Sequence, residues 1–248
     1  MSSSSTRIQT KSFQLAVAAA GNPQAEKLAL LLPGRLESKD YAHLQSHAAY
    51  LADQGYYAVA FDPPGSWDSH GNIDTYTVTN YLQATRELIE YYGSKPTLLL
   101  GHSVGGGVAI LAAADNPFVT RLVLLMTNTH APTPDDEWKT AGFIRFLRDL
   151  PPGDGPTATK KQYDLPYSYL EDSHSYDRIA ALQRCKQPKL FIAGAHDTQN
   201  LPEEVRAAYN LAPDPKKFVE LDCAHGYRYS SAAIHSVNEA IGSFLKLV

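Results

Sequence analysis

Short, nearly unbroken apolar runs alternate with helix-patterned segments along most of the chain. No other feature of the sequence limits the fold as strongly. Lys27-Leu-Ala-Leu-Leu-Leu32, Tyr56-Tyr-Ala-Val-Ala-Phe61, Thr97-Leu-Leu-Leu100, Leu122-Val-Leu-Leu-Met126 and Lys189-Leu-Phe-Ile-Ala193 read as strands buried on both faces. Between them, Asp40 to Gln54, Thr75 to Tyr92 and Val104 to Ala114 have helical patterns. In the second of these, Val78, Leu82, Thr85, Leu88, Ile89 and Tyr92 share one face. Gly55 and Gly93 stand where helices end. Phe13 to Ala19 reads as a first strand, Phe218 to Leu221 as the last, and Pro202 to Asn210 and Ser231 to Lys246 as helices. Such alternation predicts an α/β class: a mostly parallel sheet with helices on both faces.

The pattern breaks between Thr127 and about Tyr176. Prolines and aromatics crowd there, and Pro151-Pro-Gly-Asp-Gly-Pro156 cannot continue a helix. We read residues 128–176 as a small helical cap inserted into a core of residues 1–127 and 177–248, with one helix near Asp135 to Leu150. Trp138, Phe143 and Phe146 are candidates to line an apolar substrate pocket under this cap, though the same rings would serve equally as the cap's own core. A chain of 248 residues with 44% apolar and 19% charged residues suits one such domain and excludes disorder over most of its length.

Charge and composition exclude several function classes. A net charge of −4 without a basic run leaves no footprint for nucleic acid. No apolar stretch approaches a membrane span, so stable membrane insertion is not expected. The two cysteines, Cys185 and Cys223, form no metal-like spacing and fit a reducing compartment. Leu15 to Gly21 follows Arg7 and Lys11 and has the look of a weak signal peptide. Read instead as strand, with Met1 to Thr10 a flexible serine-rich lead, it is compatible with a cytoplasmic protein, the expectation adopted here. His43 and His47 are four apart, a metal-binding spacing. No glutamate follows His43 and no third ligand is evident, so they read as a solvated helix face. No metal or organic cofactor is expected.

The strongest local signal is Gly101-His102-Ser103-Val104-Gly105, between an apolar strand and a small-residue helix. A serine at such a turn sits on strained backbone above the sheet edge. Its neighbours two positions away must be glycine because they approach strand and helix closely. The Val104 N–H, at the helix start, points into the same space. A dinucleotide-binding turn is the weaker reading: Ile110 stands where the third glycine belongs, and the next strand ends at Met126-Thr-Asn128 without a carboxylate for a ribose.

A serine hydroxyl needs a base, and the base needs an acid to hold its tautomer. The order Ser, acid, His suits this topology. Asp197 follows the strand end Phe191-Ile-Ala-Gly194, and His225 follows the last strand in Asp222-Cys-Ala-His225-Gly226. Asp222 is the rival acid and His196 the rival base.

Together these segments resemble the α/β-hydrolase superfamily from about Phe13 to Leu247. Gly101-His-Ser-Val-Gly-Gly106 resembles its nucleophile elbow, Gly194-Ala-His-Asp197 its acid loop and Ala224-His-Gly226 its histidine loop. Asp62-Pro-Pro-Gly65-Ser-Trp-Asp-Ser69 is similar to its Asp-x-x-Gly-x-Gly-x-Ser loop, with Trp67 in place of the second glycine. Relatives carry His-Gly in the oxyanion loop; here the residues are Pro33-Gly34-Arg35. The resemblance implies the α/β-hydrolase fold and an oxyanion hole of the Val104 N–H and, by position, the Arg35 N–H, with Leu36 as the alternative. The Arg35 guanidinium falls near the mouth of the site, free either to meet an anionic substrate group or to face solvent. Size and cap most resemble small carboxylesterases, including cinnamoyl or feruloyl esterases; monoacylglycerol lipases and serine aminopeptidase-like members are also similar. The expected substrate is a small-molecule carboxylic ester. Thioesters, amides, carbon–carbon bonds and a non-catalytic binding role stay open, as does a homodimer.

Overall fold

In the computed structural model, which describes residues 6–127, 129–131, 133 and 136–247, the apolar runs form the expected strands. The core begins with β1 (Thr6–Gln9), β2 (Gln14–Ala20), β3 (Lys27–Leu32), α1 (Ala42–Asp53), β4 (Tyr56–Phe61), α2 (Val78–Tyr91), β5 (Thr97–His102), α3 (Val104–Asp115) and β6 (Val119–Leu125). After β6 come α4 (Asp136–Ala141), β7 (Phe143–Asp149), β8 (Lys160–Pro166) and α5 (Ser168–His174). The core resumes with α6 (Arg178–Arg184), β9 (Lys189–Gly194), α7 (Pro202–Leu211), β10 (Lys216–Leu221) and α8 (Ser231–Leu245).

The eight core strands lie in the order β1-β2-β4-β3-β5-β6-β9-β10. Pairing is parallel from β4 through β10 and antiparallel only at β1–β2 and β2–β4. Strands β3 and β5 are buried almost throughout, which explains their unbroken hydrophobicity. Two apolar layers cover the sheet. One holds Leu28, Leu30, Val59, Leu99 and Phe191 with the inner faces of α2 and α3. The other holds Ala29, Leu31, Leu98, Leu100 and Ile192 with α1 and α8. Helix α2 is started by the Thr77 side chain, which accepts from the Asn80 N–H at 3.0 Å. Among the described residues no helix is long and apolar enough to cross a membrane.

Two expectations need correction. The lead before the first strand is not wholly flexible: Thr6–Gln9 forms the edge strand β1, with Ile8 buried against the sheet. The helix expected near Asp135 to Leu150 is instead the short α4 followed by β7, which pairs antiparallel with β8. Gly142, at φ +76°, stops the helix in a conformation that L side chains rarely adopt. Beyond it the alternation of Ile144, Phe146 and Arg148 with Phe143, Arg145 and Leu147 follows the two-residue period of a strand. Residues 2–5, the first residue of the expected insertion, Asn128, and the first of its expected helix, Asp135, lie outside the described residues.

Candidate active site

Strands β5, β9 and β10 end at the same edge of the sheet, and the loops that follow them carry Ser103, Asp197 and His225. Ser103 links β5 to α3 at φ 52° and ψ −117°, a conformation costly for any L residue. Its N–H is pinned to Leu125 O at 2.9 Å. The flanking glycines are sterically required: a Cβ on Gly105 would lie 2.2 Å from Leu32 O and 2.6 Å from Pro33 O, and one on Gly101 would lie 2.4 Å from Gly105 O.

The His225 ring bridges the other two side chains. Its Nδ1 lies 2.7 Å from Asp197 Oδ2, and its Nε2 lies 3.2 Å from Ser103 Oγ. An ionised Asp197 holds the ring proton on Nδ1, so Nε2 is left to accept from the serine hydroxyl. The other Asp197 oxygen accepts from Gln199 N–H at 2.8 Å and Asn200 N–H at 3.0 Å. Burial alone would raise the Asp197 pKa, but the hydrogen bonds from His225, Asn200 and Gln199 outweigh it and hold the carboxyl below its ordinary range. Burial lowers the His225 pKa, and Asp197 offsets this only in part. The imidazole is therefore neutral at pH 7. The rivals are elsewhere: His196 and Asp222 pair with each other at the surface, Nε2 to Oδ1 2.7 Å.

The candidate oxyanion loop, Pro33-Gly34-Arg35, is held on several sides. Glu37 Oε2 accepts from Gly34 N–H at 2.9 Å, and Tyr81 donates to Pro33 O at 3.0 Å. Leu36, at φ 55°, gives its N–H to Tyr76 OH at 2.9 Å and so has none to offer a substrate. Neither the Arg35 N–H nor the Val104 N–H has a partner among the described residues. Trp67 takes φ 46° at the position of the second glycine of the Asp62–Ser69 loop. The strain is offset by its N–H bond to Tyr163 OH at 2.8 Å and its indole bond to Leu36 O at 2.9 Å.

Behind Ser103 lies a buried charged cluster that the sequence reading did not anticipate. Glu37 Oε2 is 2.9 Å from His102 Nδ1 and 3.6 Å from His43 Nε2, and Glu37 Oε1 is 3.7 Å from Arg228 Nε. Burial would raise the Glu37 pKa, but His102 and His43 outweigh it and keep this carboxyl ionised. The His102 and His225 rings stand 4.9 Å apart between centroids. His43 and His47 are not a solvated face, for both are fully buried. Residue His47 bonds Asn238 Oδ1 at 2.6 Å and Tyr227 OH at 2.9 Å. Ligand atoms of Glu37, His43 and His102 lie within 4.8 Å of one another. Glu37 Oε2 accepts from Gly34 N–H and pairs with His102 Nδ1, whereas His43 Nε2, at 3.6 Å, is beyond hydrogen-bond distance and neither His43 ring nitrogen has a hydrogen-bond partner among the described residues.

The triad opens into a cavity of about 540 Å³ lined by Ser103, His225, Arg35, Phe146, Arg148 and Arg228 among others. Arg228, three residues past His225, donates to Gly153 O at 2.7 Å and to Asp149 Oδ2 at 3.1 Å. Tyr229 OH donates to the same Asp149 oxygen at 2.6 Å. Of the three aromatics expected in the pocket, only Phe146 lines it. Trp138 is buried against Tyr167, with its indole directed to Leu165 O at 3.3 Å. Phe143 is 38% exposed. A helix would have put residues 143 and 146 on one face; the strand puts them on opposite faces.

A family model described as alpha/beta hydrolase fold matches residues 30–148. No curated protein sequence matches the chain. Among solved structures, Est1E from Butyrivibrio proteoclasticus with ferulic acid bound is similar with a TM-score of 0.76, at 18% identity over 97% of this chain and 99% of that one. Alpha/beta hydrolase domain-containing protein 10 from mouse is similar at 0.78 and 18% identity, over 99% and 100% of the two chains. A thioesterase domain from the curacin biosynthetic pathway is similar at 0.74 and 18% identity, over 97% and 100%. At these identities the likeness is one of fold.

Proposed function

We propose that this chain, whose residues 30–148 match a model of the alpha/beta hydrolase fold, belongs to the α/β-hydrolase superfamily and is a serine esterase acting on a small to medium carboxylic ester, with Ser103 as nucleophile, His225 as base and Asp197 as the acid that orients it. The observation that carries this reading is the unbroken hydrogen-bond chain Asp197–His225–Ser103 at the wall of a cavity that Arg35 also lines, with the Arg35 and Val104 N–H groups uncommitted among the described residues.

In this reading Ser103 Oγ attacks the ester carbonyl while its proton passes to His225 Nε2. The negative charge on the carbonyl oxygen is met by the N–H groups of Val104 and Arg35, donors of a kind each worth about 10²–10³ in rate. The tetrahedral intermediate collapses to the acyl-serine as His225 Nε2–H protonates the leaving alcohol. Water, deprotonated by the same imidazole, then attacks the acyl carbonyl. The second tetrahedral intermediate releases the acid and returns the proton to Ser103. Residues 128–176 serve as the cap that supplies one wall of the pocket through Phe146 and Arg148.

A fluorophosphonate probe is expected to label the peptide containing Ser103 and to abolish hydrolysis of p-nitrophenyl butyrate in proportion to labelling. A protein that neither turns over such esters nor takes the probe would leave only a binding role for the site.

The pH dependence has a definite sign. Protonated His225 cannot accept the serine proton, so kcat/KM rises with pH. Because burial lowers this imidazole, the midpoint is expected below its ordinary value of about 6.5. A rate profile on p-nitrophenyl butyrate checks this, and a midpoint above 7 would contradict the buried, neutral base.

A further inference from the structure

The pocket beside Ser103 carries positive charge that no carboxylate among the described residues pairs with. Arg35 and Arg148 both line it, and both guanidiniums lie against the Phe146 ring, 5.3 Å and 5.4 Å from its centroid. Arg35 also stands 5.8 Å from the centroid of Tyr169. The Nε atoms of both arginines are buried without a hydrogen-bond acceptor, and among the described residues neither side chain makes an ion pair. The remaining charges around the cavity are committed to one another. Glu37 is held by Gly34 N–H and His102, and Arg228 is bound to Asp149, which also pairs with Lys160. Two like charges packed on one ring, with buried donors that no protein group among the described residues satisfies, are costly. An anion between them and Ser103 would remove that cost. Guanidinium groups suit this task, since each offers a planar pair of N–H donors that fits a carboxylate or a phosphate.

We propose that the preferred substrate is an ester that also bears an anionic group, a carboxylate or a phosphate-type oxyanion, bound by Arg35 and Arg148 while the ester carbonyl sits at Ser103. The inference rests on the serine-esterase reading and specifies its substrate class. The cation–aromatic stack on Phe146 holds the two side chains for this purpose, and the hydrolysis itself proceeds through the acyl-serine described above, with water as the only co-reactant.

The test compares matched esters. On the acyl side the pair is mono-p-nitrophenyl adipate against p-nitrophenyl heptanoate, with the corresponding ω-phosphono ester to separate carboxylate from phosphate recognition. On the alcohol side the pair is the acetate ester of 6-hydroxyhexanoate against that of 1-heptanol, followed by pH-stat. At least one anionic ester is expected to exceed its neutral partner tenfold or more in kcat/KM, with an advantage that shrinks as salt is raised. Arg148→Met is expected to cut that ratio at least tenfold, and Arg148→Lys to recover part of it. Arg35→Met should cut it as well. A ratio within one variant does not depend on how much of the protein is active, so partial misfolding cannot imitate the result. If the wild-type protein hydrolyses both members of every pair within about twofold of each other, or if Arg148→Met leaves the preference intact, anion recognition is refuted while the esterase reading stands. If no ester is turned over and Ser103 takes no fluorophosphonate, the esterase reading itself has failed.

Discussion

Replacing Ser103 by alanine is expected to lower kcat for a p-nitrophenyl ester by about 10⁵–10⁶ and to leave the thermal unfolding midpoint unchanged or higher. The size of the loss follows from what remains. Without Oγ no acyl-serine forms, and the Val104 and Arg35 N–H groups can only assist direct attack by water. In serine hydrolases that residue of catalysis is about 10³–10⁴ over the uncatalysed rate. Stability should not fall, because the Ser103 side chain gives up only its 3.2 Å hydrogen bond to His225, and the cost of the backbone at φ 52° is the same for alanine as for serine. Alanine tolerates the same geometry, and the flanking Gly101 and Gly105 that make it achievable stay in place. Steady-state assay with calorimetry on the same preparation checks both halves; activity within tenfold of wild type would remove Ser103 from the chemistry.

Asp197→Asn is expected to cost about 10⁴ in kcat. The substitution is nearly isosteric, and the amide oxygen can still accept from the N–H groups of Gln199 and Asn200. The amide NH₂ then faces His225 Nδ1 in place of a carboxylate oxygen. That reverses the direction of the 2.7 Å bond and drives the ring proton to Nε2, where it opposes the Ser103 hydroxyl instead of accepting from it. The imidazolium of the transition state also loses its counter-charge. The wrong-tautomer account requires that Ser103 in this variant react with a fluorophosphonate at a greatly reduced rate while the fold is preserved. A loss below tenfold would mean that Asp197 only shapes its own loop.

Much of this architecture was readable in the sequence because the decisive signals are local. A five-residue Gly-x-Ser-x-Gly pattern after a strand requires its glycines for reasons internal to the turn, and the structure shows both Cβ clashes against backbone. Asp197 and His225 stand in short loops at strand ends, and parallel strands bring such ends to one edge. What could not be read depends on partners far along the chain. The burial of His47 is made tolerable by Asn238, 191 residues away, and the role of Glu37 by His102, 65 residues away. A clue to Glu37 was present in its place three residues after Gly34 in the oxyanion loop. The misplacement of Trp138 and Phe143 had a different origin, a helical period assumed where Gly142 ends the helix and a two-residue alternation begins. Strand β1 was missed because Ile8 is its only apolar residue; its pairing with β2 supplies what its composition lacks.

The bonds from Arg228 and Tyr229 to Asp149 and Gly153 fasten the far end of the β7–β8 hairpin to the turn just after His225. Swinging the hairpin outward therefore means pulling on the segment only a few residues beyond His225. Tied in this way, the wall that Phe146 and Arg148 give the cavity and the position of the imidazole form one mechanical unit, held by the same few bonds.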